Sequence, residues 1–201
     1  MLKYKRLTLG ELQTNGYLVW DEETLEGMMI DPADDGVGIS EEIESEKIKL
    51  KALVATHGHF DHVMGALDLK LIYKIPFYCS KLDQFLLDRQ VETAQYFLKH
   101  KIEIPNFNKI DFDLEKTKKI EIGREILKII KTPGHTPGSI SLYYQQKKWL
   151  FDGDTLFSQG MTGESRHQYS SAKLLQQSVN KILNYPQGTL ILPGHGNSFI
   201  I

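Results

Sequence analysis

The sequence predicts an α/β protein of the α+β kind, with two layers of sheet packed together and helices covering them. Three observations carry that prediction. The chain has 201 residues, enough to bury one sizeable core and too few to require a second domain. Its β-type runs and helical stretches follow the order strands, helices, strands, helix, strand, which suits two sheets better than one doubly wound parallel sheet. No internal repeat, low-complexity tract or linker interrupts the pattern, so residues 1–201 are taken as one domain.

The elements justify this in order. "YLVW" (17–20) and "GMMID" (27–31) are strand candidates, the second running into the turn "PADDG". "GISEEIESEKIK" is expected as a short polar helix with Ser40 as its N-cap, ahead of acidic residues. "KALVA" (51–55) is a buried strand, and "DHVMGALDLKLIYK" after it places apolar residues at helical spacing. "PFYCS" is a strand, and "KLDQFLLDRQVETAQYFLK" a longer amphipathic helix. The second half offers "KIEIG", "EILKIIK", "SISLYYQ" and "KWLFDGD" as strands, "SAKLLQQSVNKIL" as a helix and "TLILP" as a final strand.

Composition narrows the function classes. A net charge of −2 with 41% hydrophobic and 25% charged residues suits a soluble globular protein and gives no electrostatic attraction to nucleic acid. The lone Cys79 excludes an internal disulfide and is expected as a buried thiol. "MLKYKRLTLG" has no apolar stretch of signal-peptide length, and no run approaches a membrane span. The expectation is a cytoplasmic protein with a small-molecule substrate and neither nucleic acid nor membrane as partner; its oligomeric state is not legible.

The segment "THGHFDH" (56–62) crowds three histidines and an aspartate into a strand-to-helix turn. In extended chain His57 and His59 point the same way across Gly58 and form a chelating pair. Asp61 and His62 follow with an oxygen and a third nitrogen aimed differently. One ion is unsuited to all four, whereas two ions roughly 3.5–4 Å apart would use them without strain. Three later segments add donors where strands end: His135 in "TPGHTPGS", Asp154 in "FDGDTLF" and His195 in "LPGHGN". Five of the seven histidines are thereby used, leaving His100 and His167.

This succession, HxHxDH then His, Asp and His, together with "LQTNGYLVWDEE" and "MMIDP", resembles the metallo-β-lactamase fold superfamily of metallohydrolases over nearly the whole chain. Within it the sequence is most similar to small glyoxalase II-like, or hydroxyacylglutathione hydrolase-like, proteins. The resemblance implies a four-layer αββα sandwich with metals at one edge. It implies that His57, His59 and His135 hold a first ion, that Asp61, His62 and His195 hold a second, and that Asp154 bridges them. Asp31 is implied to support a ligand histidine from behind. Two departures stand out. The Gly-Arg-x-Asp element usual after "GDTLF" is replaced by "SQGMTGESRHQY", a rebuilt loop over 158–169, and six residues follow His195, so the helical C-terminal domain that binds glutathione in full-length glyoxalase II enzymes is not expected.

Imidazole and carboxylate donors suit zinc first, with iron or manganese as alternatives. Two such ions lower the pKa of bound water and supply hydroxide to attack a carbonyl. Asp61 orients the nucleophile and Asp154 joins the ions, so both are expected to be catalytic. The expected activity is a thioesterase of glyoxalase II type acting on a small hydroxyacylglutathione-like substrate. The rivals are a mononuclear iron persulfide dioxygenase using His57, His135 and Asp154, and a non-catalytic metal or redox module on the same fold. Tyr17, Arg166 and His167 are the candidate substrate contacts.

Overall fold

Six strands from the first half of the chain make one sheet in sequence order: β1 (Leu2–Leu9), β2 (Thr14–Asp21), β3 (Glu26–Ile30), β4 (Lys49–Val54), β5 (Phe77–Cys79) and β6 (Phe112–Asp113). The β1–β2 and β2–β3 pairs are antiparallel and the remaining pairs parallel. The second half makes another six-stranded sheet: β7 (Lys119–Ile122), β8 (Glu125–Lys131), β9 (Ile140–Tyr144), β10 (Trp149–Gly153), β11 (Leu190–Pro193) and β12 (Phe199–Ile200). Only β10 and β11 run parallel there. The computed structural model describes residues 1–103 and 105–201.

Side-chain alternation explains the layering. On β2, Tyr17 and Val19 enter the core between the sheets, while Leu18 and Trp20 enter a different core on the outer face. On β3, Met28 and Ile30 face inward and Met29 outward; β4 divides the same way, with Ala52 and Val54 opposed to Leu53. Strands apolar on both faces must be covered on both. The outer cover of the first sheet comes from α1 (Gly36–Ser45), through Ile39 and Ile43, and α2 (Ala66–Tyr73), through Ala66 and Leu69. Two further short helices, α3 (Gln84–Asp88) and α4 (Gln90–Leu98), follow β5.

The second sheet is covered by α5 (Ala172–Leu183), the crossover between β10 and β11. Its Leu175, Val179 and Ile182 fall on one helical stripe and bury against Tyr143, Leu150 and Ile191. Each such side chain contributes about 1.5–3 kcal/mol relative to exposure. Ser171 caps α5, its hydroxyl accepting from the Leu174 amide at 3.3 Å. The result is the four-layer αββα sandwich. Among the described residues no helix is long and apolar enough to cross a membrane.

Four details differ from the sequence expectations. Strand β1 was not anticipated; its lysines interrupt the apolar signal, as suits an edge strand. β6 and β12 have two residues each, too few to show a period. The cap of α1 is Asp35, in the left-handed region with φ 48°, whose carboxylate accepts from the Gly38 amide; Ser40 lies inside the helix. The long helix over 81–99 is a 3₁₀ turn followed by α3 and α4, broken at Arg89, whose φ of −112° and ψ of 16° depart from helical values.

Candidate metal centre

The chain ends of β4, β10 and β11 and the β8–β9 loop gather at one edge of the sandwich. The loop after β4 brings His57, His59, Asp61 and His62, the β8–β9 loop brings His135, the residue after β10 is Asp154, and the turn after β11 holds His195. His57 Nε2 lies 3.0 Å from His59 Nδ1, and His135 Nε2 lies 2.9 Å from that same Nδ1. His62 Nε2 stands 3.6 Å from Asp61 Oδ2, which is 3.3 Å from His195 Nε2. Asp154 reaches both groups: its Oδ2 is 3.6 Å from His135 Nε2 and 3.6 Å from His195 Nε2, and its Oδ1 is 3.5 Å from His62 Nε2.

These spacings fit metal ions. A tetrahedral ion with bonds of about 2.0–2.1 Å separates its donors by about 3.3–3.4 Å, close to the observed distances. His62 Nε2 and Asp154 Oδ1 are buried without a hydrogen-bond partner although they face each other. A buried polar atom without a partner is costly, and an ion between them removes the cost. Gly194 leaves the space they need: a Cβ there would come within 2.3 Å of Asp154 Oδ1 and 2.6 Å of His62 Cε1.

The outward nitrogens of four histidines are already tied, and the hydrogen-bond network assigns their tautomers. His57 Nδ1 donates to Thr56 Oγ1 at 3.1 Å, and Thr56 Oγ1 donates to Asp31 Oδ2 at 2.8 Å. His62 Nδ1 donates to the same Asp31 oxygen at 3.0 Å. His135 Nδ1 donates to the Glu164 carbonyl at 2.7 Å, and His59 Nε2 donates to Tyr169 Oη at 2.9 Å. In a neutral ring each arrangement aims the other nitrogen's lone pair inward; on His62 that nitrogen faces Asp61 and Asp154, which hold a proton there in the metal-free protein. Asp31 thus stands behind two ligands, and holds its own backbone at φ 49°, a left-handed conformation unusual outside glycine.

Burial pushes the His57 and His59 imidazoles well below their ordinary value, and the neighbouring imidazoles push them further. Burial acts the same way on His62, but Asp61, Asp154 and Asp31 outweigh it and raise that ring to about 10. Burial alone would raise the Asp61 carboxyl, yet His62 and His195 hold it well below the carboxylate range. Thr14 Oγ1 also donates to Asp61 Oδ2 at 2.8 Å. A cavity of about 250 Å³ opens over the donors, walled by His59, Asp61, His135, Asp154 and His195.

The structure brings all seven proposed ligands together and places Asp31 behind them. The substrate contacts fare differently. Tyr17 does not line the cavity: it points between the sheets, 2% exposed, with its ring 5.2 Å from Phe151 and its hydroxyl donating to the Pro193 carbonyl at 2.7 Å. The alternation of β2 decides this, and the residue braces the His195 turn instead. Arg166 projects into solvent and pairs with Glu164, two residues away. His167 does reach the cavity wall, stacked on Tyr169 with centroids 5.0 Å apart. Cys79 is buried, which raises its thiol.

Two residues escaped sequence reasoning. Asp83 accepts from the Gly58 amide at 2.9 Å, the Gly138 amide at 2.7 Å and Thr136 Oγ1 at 2.6 Å, so one buried carboxylate ties the His57 loop to the His135 loop. Its only sequence signal is an acid among the apolar residues of "KLDQFLL". Tyr169 stood in the rebuilt loop beside Arg166 and His167, and nothing in its spacing links it to His59, 110 positions away.

Residues 9–195 match the model of the metallo-beta-lactamase superfamily. The chain is 32% identical over 191 residues to the hydroxyacylglutathione hydrolase GloC of Haemophilus influenzae, covering 92% of this chain and 86% of that one. Among solved structures it is similar to the BLEG-1 B3 metallo-beta-lactamase, with a TM-score of 0.87, 30% identity and coverage of 98% of this chain and 94% of the other. It is also similar to TTHA1623 in a di-iron-bound form, with a TM-score of 0.85, 28% identity and the same coverage.

Proposed function

The chain belongs to the metallo-beta-lactamase superfamily, and from that premise we propose that it is a binuclear metal-dependent hydrolase cleaving a small thioester, with hydroxyacylglutathione-type substrates as the leading example. The observation that carries this reading is the completeness of both donor sets, joined by Asp154. A mononuclear iron dioxygenase using His57, His135 and Asp154 has no use for Asp61, His62 and His195 as a converging group. The kinship with the hydroxyacylglutathione hydrolase GloC supports the substrate class. Zinc is the first choice of metal, and the di-iron form of TTHA1623 keeps iron beside it.

Ions held by these donors would make water nucleophilic at neutral pH and draw charge from the carbonyl oxygen. The protein's part is to hold and orient. Thr14 fixes one oxygen of Asp61, a carboxylate held ionised well below its ordinary range and therefore a weak base, so Asp61 accepts a hydrogen bond from the attacking water and orients it while the water's proton passes to solvent. Water's oxygen bonds to the carbonyl carbon, the C–S bond breaks, and sulfur leaves as thiolate. With a thiol pKa of about 8.5 the leaving group needs little help from an acid. Asp31, Tyr169 and the Glu164 carbonyl keep the ligand rings from turning as charge develops.

The test is elemental analysis of protein purified without added metal, coupled to hydrolysis assays on S-D-lactoylglutathione and simpler thioesters. Thioester turnover that follows metal content is expected. A metal-loaded sample that leaves every thioester intact, yet opens lactones or β-lactams or cleaves phosphodiesters, overturns the proposal.

A further inference from the structure

We infer that a second cleft beside the metal cavity selects the remote limb of the substrate, and that this limb is apolar and flat, an aryl or alkyl group rather than a peptide. The inference rests on the thioesterase reading and narrows it: an apolar limb on the thiol side replaces the glutathione tripeptide as carrier, whereas one on the acyl side leaves that carrier in place. A cavity of about 330 Å³ adjoins the one over the donors, and the two share Thr93, Phe97, His167 and Tyr169 as walls. A substrate whose carbonyl sits over Asp61 and Asp154 therefore has a continuous path for its remote end.

The lining defines what fits. Phe85 meets Tyr169 edge to face at 5.2 Å, His167 stacks on Tyr169 at an interplanar angle of 11°, and Tyr96 meets Phe97 at 5.3 Å. Phe85, Tyr96 and Phe97 are 37%, 68% and 49% exposed. A single exposed aromatic needs no explanation, but three around one cleft mark a binding surface. Phe97 is anchored from behind by stacking on Phe60, within the loop that carries the ligands. Against Phe85, Tyr96 and Phe97 a peptide limb would lay its amides on ring faces that cannot pair with them, leaving only the groups at the margin, such as Thr93 and Arg89, to replace water. An aryl limb loses nothing there and gains ring contacts. At the outer end Arg89 pairs with Glu92, both largely exposed, so a charged tip beyond the rings is tolerated.

The limb can belong to the acyl or the thiol side, and matched thioesters separate the two. Metal-loaded full-length protein is assayed on S-methyl thioacetate, S-benzyl thioacetate and S-methyl phenylthioacetate. At least one phenyl substrate is expected to exceed S-methyl thioacetate in kcat/KM by about tenfold or more, and the arm that does so identifies the side. Because benzyl thiol also leaves more readily, the decisive reading is the change of this ratio in Phe97→Ala and Tyr96→Ala, expected to fall severalfold. Leu71→Ala, on a distant exposed face of α2, should keep the wild-type ratio. Calorimetry with the non-hydrolysable thioethers N-acetyl-S-benzylcysteine and N-acetyl-S-methylcysteine reads the cleft without turnover, and the benzyl compound should bind more tightly. Absence of a phenyl preference in both thioester arms together with equal binding of the two thioethers, or a phenyl preference untouched in both cleft variants, overturns the inference. Benzyl preference without hydrolysis of any thioester would uphold the cleft and overturn the thioesterase reading alone.

Discussion

His57, His59 and His135 converge as three imidazoles with no carboxylate among them, whereas Asp61, His62 and His195 converge with Asp154 beside them and Asp31 behind. The first set keeps two of its rings neutral, because burial and mutual repulsion hold protons off His57 and His59. It offers bare lone pairs to a cation at once. In the second set the carboxylates hold a proton on His62, so a cation arriving there displaces it. One group is poised for the ion by the absence of charge, the other by an excess of negative charge that a proton fills meanwhile. Among the described residues Asp154 is the carboxylate within reach of both, and it joins the two plans.

The sharpest way to break this comparison is Asp154→Ala. Both sets lose their shared anion and the two ions their bridge, so few metals per chain should remain and kcat should fall at least about 10²-fold. Retention of two ions in that variant, by elemental analysis, would mean that each set is self-sufficient.

A smaller effect distinguishes the supports. Tyr169 holds His59 alone, so Tyr169→Phe should weaken the first ion by about 10–100-fold while leaving the affinity of the second in place. Stepwise metal titration of the variant separates the two sites; equal weakening of both would remove the special role of the rebuilt loop.

The smallest effect is one of pH. His62 has a folded pKa of about 10, above its ordinary 6.5, so its contribution to the stability of metal-free protein is complete below about 6.5 and is lost as pH rises toward 10. His195 is raised as well: burial lowers it, but Asp61 and Asp154 more than compensate. His57 and His59, with lowered values, act in the opposite window and cost stability only as pH falls below about 6.5. Thermal melting of metal-free protein should therefore decline between pH 7 and 10, with a flatter profile for loaded protein. A metal-free profile that rises across that range contradicts the assigned protonation of His62.

Much of this was legible before the structure because its signals are local. Continuous apolar runs mark β2, β3, β4 and β9, a period-3.6 pattern marks α5, and glycine-flanked donors at strand ends mark the ligands. The parts that were not legible depend on distance in the chain. Tyr17 lies in "QTNGYLVW", where Thr14 reaches Asp61, but strand alternation turns Tyr17 itself into the core. Asp83 and Tyr169 reach the site through bonds spanning 25 to 110 positions, which no local pattern encodes. Edge strands β1, β6 and β12 were missed because they are short or carry little apolar contrast.

The central claim, two ions serving one hydrolytic reaction, is tested most directly by the metal content and activity of His195→Ala beside the wild type. His195 serves the second set only, and its turn is held independently by Asn15, whose side chain donates to the Pro193 carbonyl at 3.0 Å. The account predicts close to two metals per wild-type chain, about one in the variant, and a fall in thioester kcat on the order of 10²-fold. One iron per wild-type chain, unchanged in His195→Ala and accompanied by persulfide-dependent oxygen uptake, would contradict it.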